Sequence, residues 1–212
     1  MLHAALVAAL AGLRERDATA LRLWLGTDGP PKILEDIGGT LGVTRERARQ
    51  LRNRAWERIG EHYRWPHEVV LRIDALLNVR AEPLYLDLIA ADDPWFDGFQ
   101  ENLVALKRVI EDLTGDAVHV WPLNGRLIAT RCSAERWPEL ADAARAAVER
   151  EIPAGVTRSD ARILIGAVAI GEGTPDLAVP LWQWLAPSLH FAMSPCGEER
   201  LVSIGRGLRH PL

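Results

Sequence analysis

Lysine and cysteine are scarce in this chain of 212 residues, which contains two of each. Cys132 and Cys196 are too few for a disulfide framework and lack the paired spacing of a structural zinc site. The N-terminus lacks the basic start of a signal peptide, and we expect no membrane-spanning helix, which requires about 20 consecutive, predominantly apolar residues. These absences predict a cytoplasmic protein that does not associate with membranes.

The scarcity of lysine also bears on enzyme classes, because the core of restriction-type nucleases places a Lys two residues after an Asp or Glu. Lys32 and Lys107 follow Pro30 and Ala105 at that offset, so this core is absent. The sequence also has no Walker A loop, no nucleophile elbow and no His-Glu-x-x-His motif. We expect a protein without catalytic residues, cofactor or resident metal.

One short acidic segment leaves two interpretations open. Asp92, Asp93 and Asp97 could supply three carboxylates to a cation. Pro94 directly follows Asp93, and an Asp-Pro pair is also typical of the start of a turn or short helix. A capping turn therefore explains the same residues.

Positive charge is concentrated near the N-terminus. Residues 1–65 carry a net charge of +3, whereas residues 66–212 carry −7. Six arginines and two glutamates give residues 43–60 alone a net charge of +4. Such a segment suits a polyanion such as DNA. An arginine-rich helix face that is merely solvated, or paired with the acidic part of the chain, has the same composition.

The basic segment falls within a predicted helix-turn-helix. A short helix with Leu34, Ile37 and Leu41 on one side ends at Gly42, and Thr44 can cap the next helix. The apolar face of that second helix repeats at spacings of three and four residues. Its members are Ala48, Leu51, Ala55 and Ile59. Two short amphipathic helices joined by a glycine-containing turn are typical of this motif.

Two segments around this turn form a longer motif, Ile33-Leu34-Glu35-Asp36-Ile37-Gly38 and the contiguous Gly42-Val43-Thr44-Arg45-Glu46-Arg47-Ala48-Arg49-Gln50. Through them, residues 14–60 resemble region 4 of the primary-type bacterial RNA polymerase sigma factors. It implies that the second helix enters the major groove of the promoter −35 element. It also implies double-stranded DNA and the β flap of RNA polymerase as partners.

The positions that match base-edge contacts in that family are Arg45, Glu46, Arg49 and Gln50. Arg47 matches a position near phosphate. The residue types suit these roles, because Arg can donate two hydrogen bonds to guanine, Gln can pair with adenine, and Glu can accept from cytosine. Asn53 extends the same stripe of the helix. Thr44 and Lys32 complete the predicted DNA-binding set.

The sequence departs from the family in three ways. Ile33 stands where a Thr is usual, and the later helix segment Arg52–Trp56 is unusually basic and aromatic. No segment resembles the sigma region that melts the −10 element. We therefore expect a sequence-specific transcription regulator or an auxiliary sigma-like subunit, which does not start transcription alone.

The predicted domains are a helix-turn-helix domain over residues 1–65 and an acidic α+β domain over residues 66–212. The fold class is mainly α, and α+β overall. In the second domain Asn124-Gly125 indicates a hairpin, and residues 190–193 with 201–204 indicate another. Helix, hairpin, helix, hairpin is the order from which we predict a winged-helix-like form. Residues 155–164 repeat seven of the ten residues of 42–51, which is consistent with a second DNA-contacting helix or with a core helix.

Trp182 and Trp184 are the candidate partner-binding residues of the second domain. On a strand, two residues apart, both side chains would share one face and form an apolar platform for a protein. Core packing is the alternative explanation. A second functional hypothesis follows, in which the chain is an interaction module of a multi-subunit defence or mobile-element assembly and the helix-turn-helix binds other protein subunits.

Overall fold

The structure, a computed structural model, describes residues 1–80, 82–194 and 197–205. The chain is mainly helical, with a helical N-terminal part followed by an α+β part, which confirms the predicted fold class. It divides into two compact units. Unit 1 comprises residues 1–76 and 85–116, and unit 2 comprises residues 77–84 and 117–212. Within the described residues, every helix is too short or too polar to cross a bilayer.

Unit 1 consists of helices. They are α1 (Leu2–Ala11), α2 (Glu15–Leu25), α3 (Leu34–Leu41), α4 (Arg45–His62), α5 (Trp65–Asn78, whose last two residues belong to unit 2), α6 (Ile89–Asp92) and α7 (Leu103–Thr114). Helix α2 ends at Gly26, whose positive φ of 73° suits a residue without Cβ. Helix α7 begins after Asn102, whose side chain accepts a hydrogen bond from the amide of Ala105 at 2.9 Å.

Where the structure describes unit 2, two small antiparallel sheets are combined with three α-helices. Its elements are β1 (Leu84–Tyr85, at the boundary of the units), β2 (His119–Leu123), β3 (Arg126–Thr130), α8 (Trp137–Glu151), α9 (Arg158–Gly171), α10 (Ala178–Leu185), β4 (Leu189–Met193) and β5 (Glu199–Ile204). One sheet has the order β1-β3-β2, and β4 pairs with β5 in the other. Both predicted hairpins are confirmed, and Asn124 and Gly125 have the positive φ angles that their turn requires. The winged-helix arrangement stays a prediction.

The two candidate partner-binding tryptophans lie on a helix, which corrects the prediction of a strand. Trp182 and Trp184 belong to α10. Residues two positions apart in an α-helix are separated by about 200° around the helix axis, so the side chains of Trp182 and Trp184 do not share a face. The hydrophobic residues of α10 include a proline and two tryptophans, and an alternating pattern this short does not distinguish a strand from a buried helix.

The acidic character of the C-terminal part is also located differently from the prediction. Residues 85–116 carry a net charge of −6 and pack in unit 1 with the helix-turn-helix, whereas unit 2 carries a net charge of zero. The sequence boundary at residue 65 separated these residues from the basic helix. Tertiary packing instead places the carboxylates of residues 85–116 in the same unit as α4.

Candidate nucleic-acid interface

The turn between α3 and α4 is built by two glycines and a threonine. Gly42 has a φ of 64°, which a residue without Cβ adopts readily. Gly38 faces the turn so closely that a Cβ there would lie 2.8 Å from the carbonyl oxygen of Val43. Thr44 caps α4, because its Oγ1 accepts a hydrogen bond from the amide of Arg47 at 3.2 Å.

Apolar side chains fix α4 against α2 and α3. The buried cluster comprises Ala20, Ile37, Ala48 and Leu51, and partly buried Leu23, Trp24, Leu34, Leu41 and Val43 pack around it. Ala48 and Leu51 belong to the apolar face that the sequence predicts for this helix. Burying that face leaves the opposite face of the first turns of α4 at the surface.

The exposed face of the first two turns carries the predicted base-contacting residues, of which Arg49 and Gln50 are hydrogen-bonded to Glu46. Arg49 donates to both carboxylate oxygens of Glu46, at 2.8 and 2.9 Å. Gln50 donates to Glu46 at 3.2 Å and accepts from Arg47 at 3.0 Å. Arg45 is exposed beside this network. Glu46, Arg49 and Gln50 form these bonds through their polar ends, the ends that could contact a base edge.

Glu46 is held in its charged form by its neighbours. Its hydrogen bond with Arg49 is the main cause that lowers the pKa of Glu46 to about 2, and the charge of Arg45 contributes in the same direction. The same contact raises the pKa of Arg49. At neutral pH the carboxylate is therefore an acceptor, which is the role that a cytosine amino group requires.

Two further arginines border the N-terminal half of α4, and the sequence prediction missed them as site residues. Arg14 and Arg16 line a cavity of about 180 Å³ together with Arg47 and Arg54, and Asp17 contributes a carboxylate to the same lining. Arg16 also donates to the carbonyl of Leu41, at the end of α3, at 3.4 Å. Arg16 lies in the segment that resembles sigma region 4, but its proximity to Arg47 depends on how α2 packs on α4.

The second half of α4 differs, because its arginines contact carboxylates of unit 1. Buried Asp17 of α2 lies 3.1 Å from Arg54 and 3.9 Å from Arg58. Asp112 of α7 lies 3.8 Å from Arg52. Arg52, Arg54 and Arg58 are therefore ion-paired within unit 1, and two of them share Asp17. Of these pairs, only the one with Asp112 joins α4 to the acidic part of the chain. The arginines of α4 that are exposed, Arg45, Arg47 and Arg49, lie in its N-terminal turns.

The remaining two predicted DNA-binding residues lie at the margins of this surface. Asn53 is partly buried, and its Oδ1 accepts two hydrogen bonds from Arg52, at 2.9 and 3.2 Å. Lys32 precedes α3 and donates to the hydroxyl of Thr40 at 3.2 Å. The structure thus places the four base-contacting candidates and Arg47 on the first two turns of α4, whereas Asn53 is partly buried on the next turn and Lys32 lies in the loop before α3.

The comparison with known families agrees with this geometry. Residues 9–61 match sigma-70, region 4. The resemblance inferred for residues 14–60 is thereby confirmed. Region 4 of sigma-70 proteins is a DNA-binding helix-turn-helix domain that acts in transcription and also binds RNA polymerase. No solved structure significantly matches the chain.

The match to sigma-70, region 4 ends at residue 61, before α5 begins, so it includes neither α7 nor any part of unit 2. In unit 2 the repeated segment, residues 155–164, forms the start of α9. Gly155 has a φ of 87°, and Thr157 caps α9 through a capping box with Asp160, as Thr44 caps α4. Exposed Ile163 stands where α4 has Gln50. Whether α9 contacts DNA stays a prediction.

The Asp92–Asp97 segment contains the capping turn that one of its two interpretations predicts. Asp93 accepts a hydrogen bond from the amide of Trp95 at 3.0 Å and caps the 3-10 turn Pro94–Phe96. Its other oxygen lies 2.8 Å from Arg72. Among the residues that the structure describes, no group of three or more His, Cys, Asp or Glu could hold a metal ion. Cys132 is buried, and Cys196 lies outside the described residues.

Proposed function

We propose that this protein is a sequence-specific DNA-binding transcription regulator, or an auxiliary sigma-like subunit, that acts by binding rather than by catalysis. The first two turns of α4 enter the major groove, where Arg45, Glu46, Arg49 and Gln50 contact base edges. The observation that carries the proposal is the match to sigma-70, region 4 over the residues that hold these side chains at the surface. The neighbouring Arg47 contacts a backbone phosphate.

The distribution of charge in unit 1 supports an approach of DNA to the N-terminal end of α4. Arg45, Arg47 and Arg49 are exposed at that end, and exposed Arg14 and Arg16 lie near Arg47. Farther along the helix, Arg52 and Arg54 pair with Asp112 and Asp17. Phosphates are attracted to the first region and gain less from the second, which orients the helix as recognition helices are oriented in other helix-turn-helix proteins.

RNA polymerase is the protein partner that we propose, because sigma region 4 domains bind it in general. The β flap is the element implied by the resemblance. This part of the proposal concerns residues 9–61 and assigns no role to unit 2.

The test is selection from a randomised duplex pool, followed by affinity measurements at several salt concentrations. The variants are Arg45→Ala and Arg49→Ala. The matched control is Arg162→Ala, which removes an exposed arginine from the position of α9 that corresponds to Arg49 in the repeated segment. We expect each α4 variant to lose ~1–3 kcal/mol on the selected site and to relax specificity at one base pair. The control is expected to bind as the wild type does.

Equal losses on selected and random duplexes would refute a base contact by the residue concerned. An equal effect of Arg162→Ala would instead support a second DNA-contacting helix in α9. Failure of the wild type to bind any duplex at low salt would favour the alternative of a protein-interaction module, and co-purification with RNA polymerase subunits would then be the next measurement.

A further inference from the structure

The stripe of arginines on α4 continues beyond the predicted DNA contacts. Arg45, Arg49 and Arg52 are separated by four and three residues, so they lie along one side of the helix. Arg45 and Arg49 are exposed, but only 17% of the Arg52 side chain is accessible. The solvent-facing part of the stripe therefore ends before Arg52, although Arg52 continues the row of arginines along the helix.

Helix α7 covers this part of the stripe. Asp112 is the central contact, because its Oδ2 accepts hydrogen bonds from the indole nitrogens of Trp24 and Trp56, each at 2.8 Å. Its Oδ1 lies 3.8 Å from Arg52. A single carboxylate thus connects α7 to both α2 and α4.

A second arginine takes part in the same cluster. The guanidinium groups of Arg52 and Arg108 lie 4.6 and 4.1 Å from the centroid of the Trp24 ring, within the range of cation–π attraction. Arg108 also donates to the carbonyl of Lys32 at 3.0 Å, and Asn102 donates to the carbonyl of Gly26 at 2.7 Å. Helix α7 is therefore bonded along the loop between α2 and α3.

These contacts affect what Arg52 can do. A phosphate that approached its guanidinium would compete with the charge of Asp112, with the Trp24 ring and with Oδ1 of Asn53, which accepts two hydrogen bonds from Arg52. It would also meet α7, which lies outside the residues that match sigma region 4. By contrast, Arg49 pairs with Glu46 at the exposed surface, where 49% of its side chain remains accessible.

We propose that Asp112 is a positioning residue that holds Arg52 on Trp24, beside Arg108, and so ends the DNA contact stripe after Gln50. The inference rests on the proposed function. Asp112 limits the number of phosphates that α4 can neutralise, which lowers affinity for random DNA relative to the selected site. The acidic segment 85–116 thereby contributes to specificity without touching a base.

The test compares Asp112→Asn with Asp116→Asn in the full chain. Both variants remove one negative charge from the same unit, and Asp116 is exposed just beyond α7. Asn at position 112 keeps an oxygen that can accept from an indole but no longer attracts the arginines. Binding to a random duplex and to the selected site is measured between 50 and 200 mM salt. These concentrations are on the order of those over which phosphate contacts change affinity strongly.

We expect Asp112→Asn to gain one or two phosphate contacts. For this variant, each new contact steepens the slope of the logarithm of the binding constant against the logarithm of the salt concentration by about 0.9. Its affinity for random DNA rises more than its affinity for the selected site. Asp116→Asn is expected to keep the slope of the wild type. An unchanged slope for Asp112→Asn, or an equal increase for both variants, would overturn the inference.

Arg52→Gln supplies an independent measurement if Asp112→Asn does not fold, as judged by circular dichroism. Since Arg52 does not contact DNA in this proposal, we expect the wild-type slope, whereas a slope reduced by about 0.9 would identify a phosphate contact and overturn it. A wild type that binds no duplex would refute the proposed function and this inference together. A wild type that binds DNA, with either contrary slope, would refute the inference alone.

Discussion

Replacing Gly38 by Ala should loosen the junction of α3 and α4, whereas the same change at neighbouring Gly39 should not. A Cβ at position 38 would lie 2.8 Å from the carbonyl oxygen of Val43 and 3.3 Å from the amide nitrogen of Arg45. Both neighbours are backbone atoms, so neither can rotate away. A Cβ at position 39 would meet no atom within 4 Å.

The magnitude follows from two terms. Gly-to-Ala substitution within a helix stabilises by ~0.5–1 kcal/mol, and this term is common to both positions of α3. Overpacking against fixed neighbours costs ~1–3 kcal/mol and applies only at Gly38. We therefore expect Gly39→Ala to be more stable than the wild type, and Gly38→Ala to be less stable than Gly39→Ala by about 1–3 kcal/mol.

Urea unfolding monitored by circular dichroism would measure this difference directly. Because α4 begins at Arg45, displacement of the turn should also lower the affinity of Gly38→Ala for the selected duplex more than that of Gly39→Ala. Equal stability of the two variants, or a more stable Gly38→Ala, would refute the steric argument.

Three further predictions concern single side chains. Thr44→Ala should lower the free energy of unfolding by about 1 kcal/mol through loss of the α4 cap, and Thr44→Ser should restore it in urea titrations. Burial raises the pKa of Cys132 to about 11, so its thiol should resist alkylation at pH 8 until the protein unfolds. Peptide mass spectrometry would locate the alkylated cysteine. Rapid labelling of Cys132 in the folded protein would contradict this prediction. Hydrogen bonds from the hydroxyl and amide of Thr157 lower the pKa of Asp160 below its usual 3.8. The Asp160 carboxylate therefore stabilises the fold above pH 3.8, and this stabilisation is lost as the pH falls through the lowered pKa. The stability deficit of Asp160→Asn should accordingly shrink toward pH 3, and a deficit independent of pH would refute the assignment.

Local patterns determined much of the helix-turn-helix. The period of apolar residues, the glycine at position 42 and the cap at Thr44 act within a few residues of one another, so they can be recognised without a tertiary structure. The same holds for the turn at Asn124-Gly125, where the residue types meet a backbone requirement. Trp182 and Trp184 show the limit of such patterns, because the same letters suit a strand or a short buried helix.

Local patterns are therefore enough to predict that a basic helix of sigma region 4 type follows Thr44 and which of its faces is apolar. Which of its arginines remain accessible depends on how distant helices pack against it. Asp17 and Asp112 pair with Arg54 and Arg52 across α2 and α7, and Asp112 is 60 residues from Arg52 along the chain. Charge neutralisation depends on distance in space, and no local pattern in the sequence records which distant carboxylate the fold brings within 4 Å of a given guanidinium.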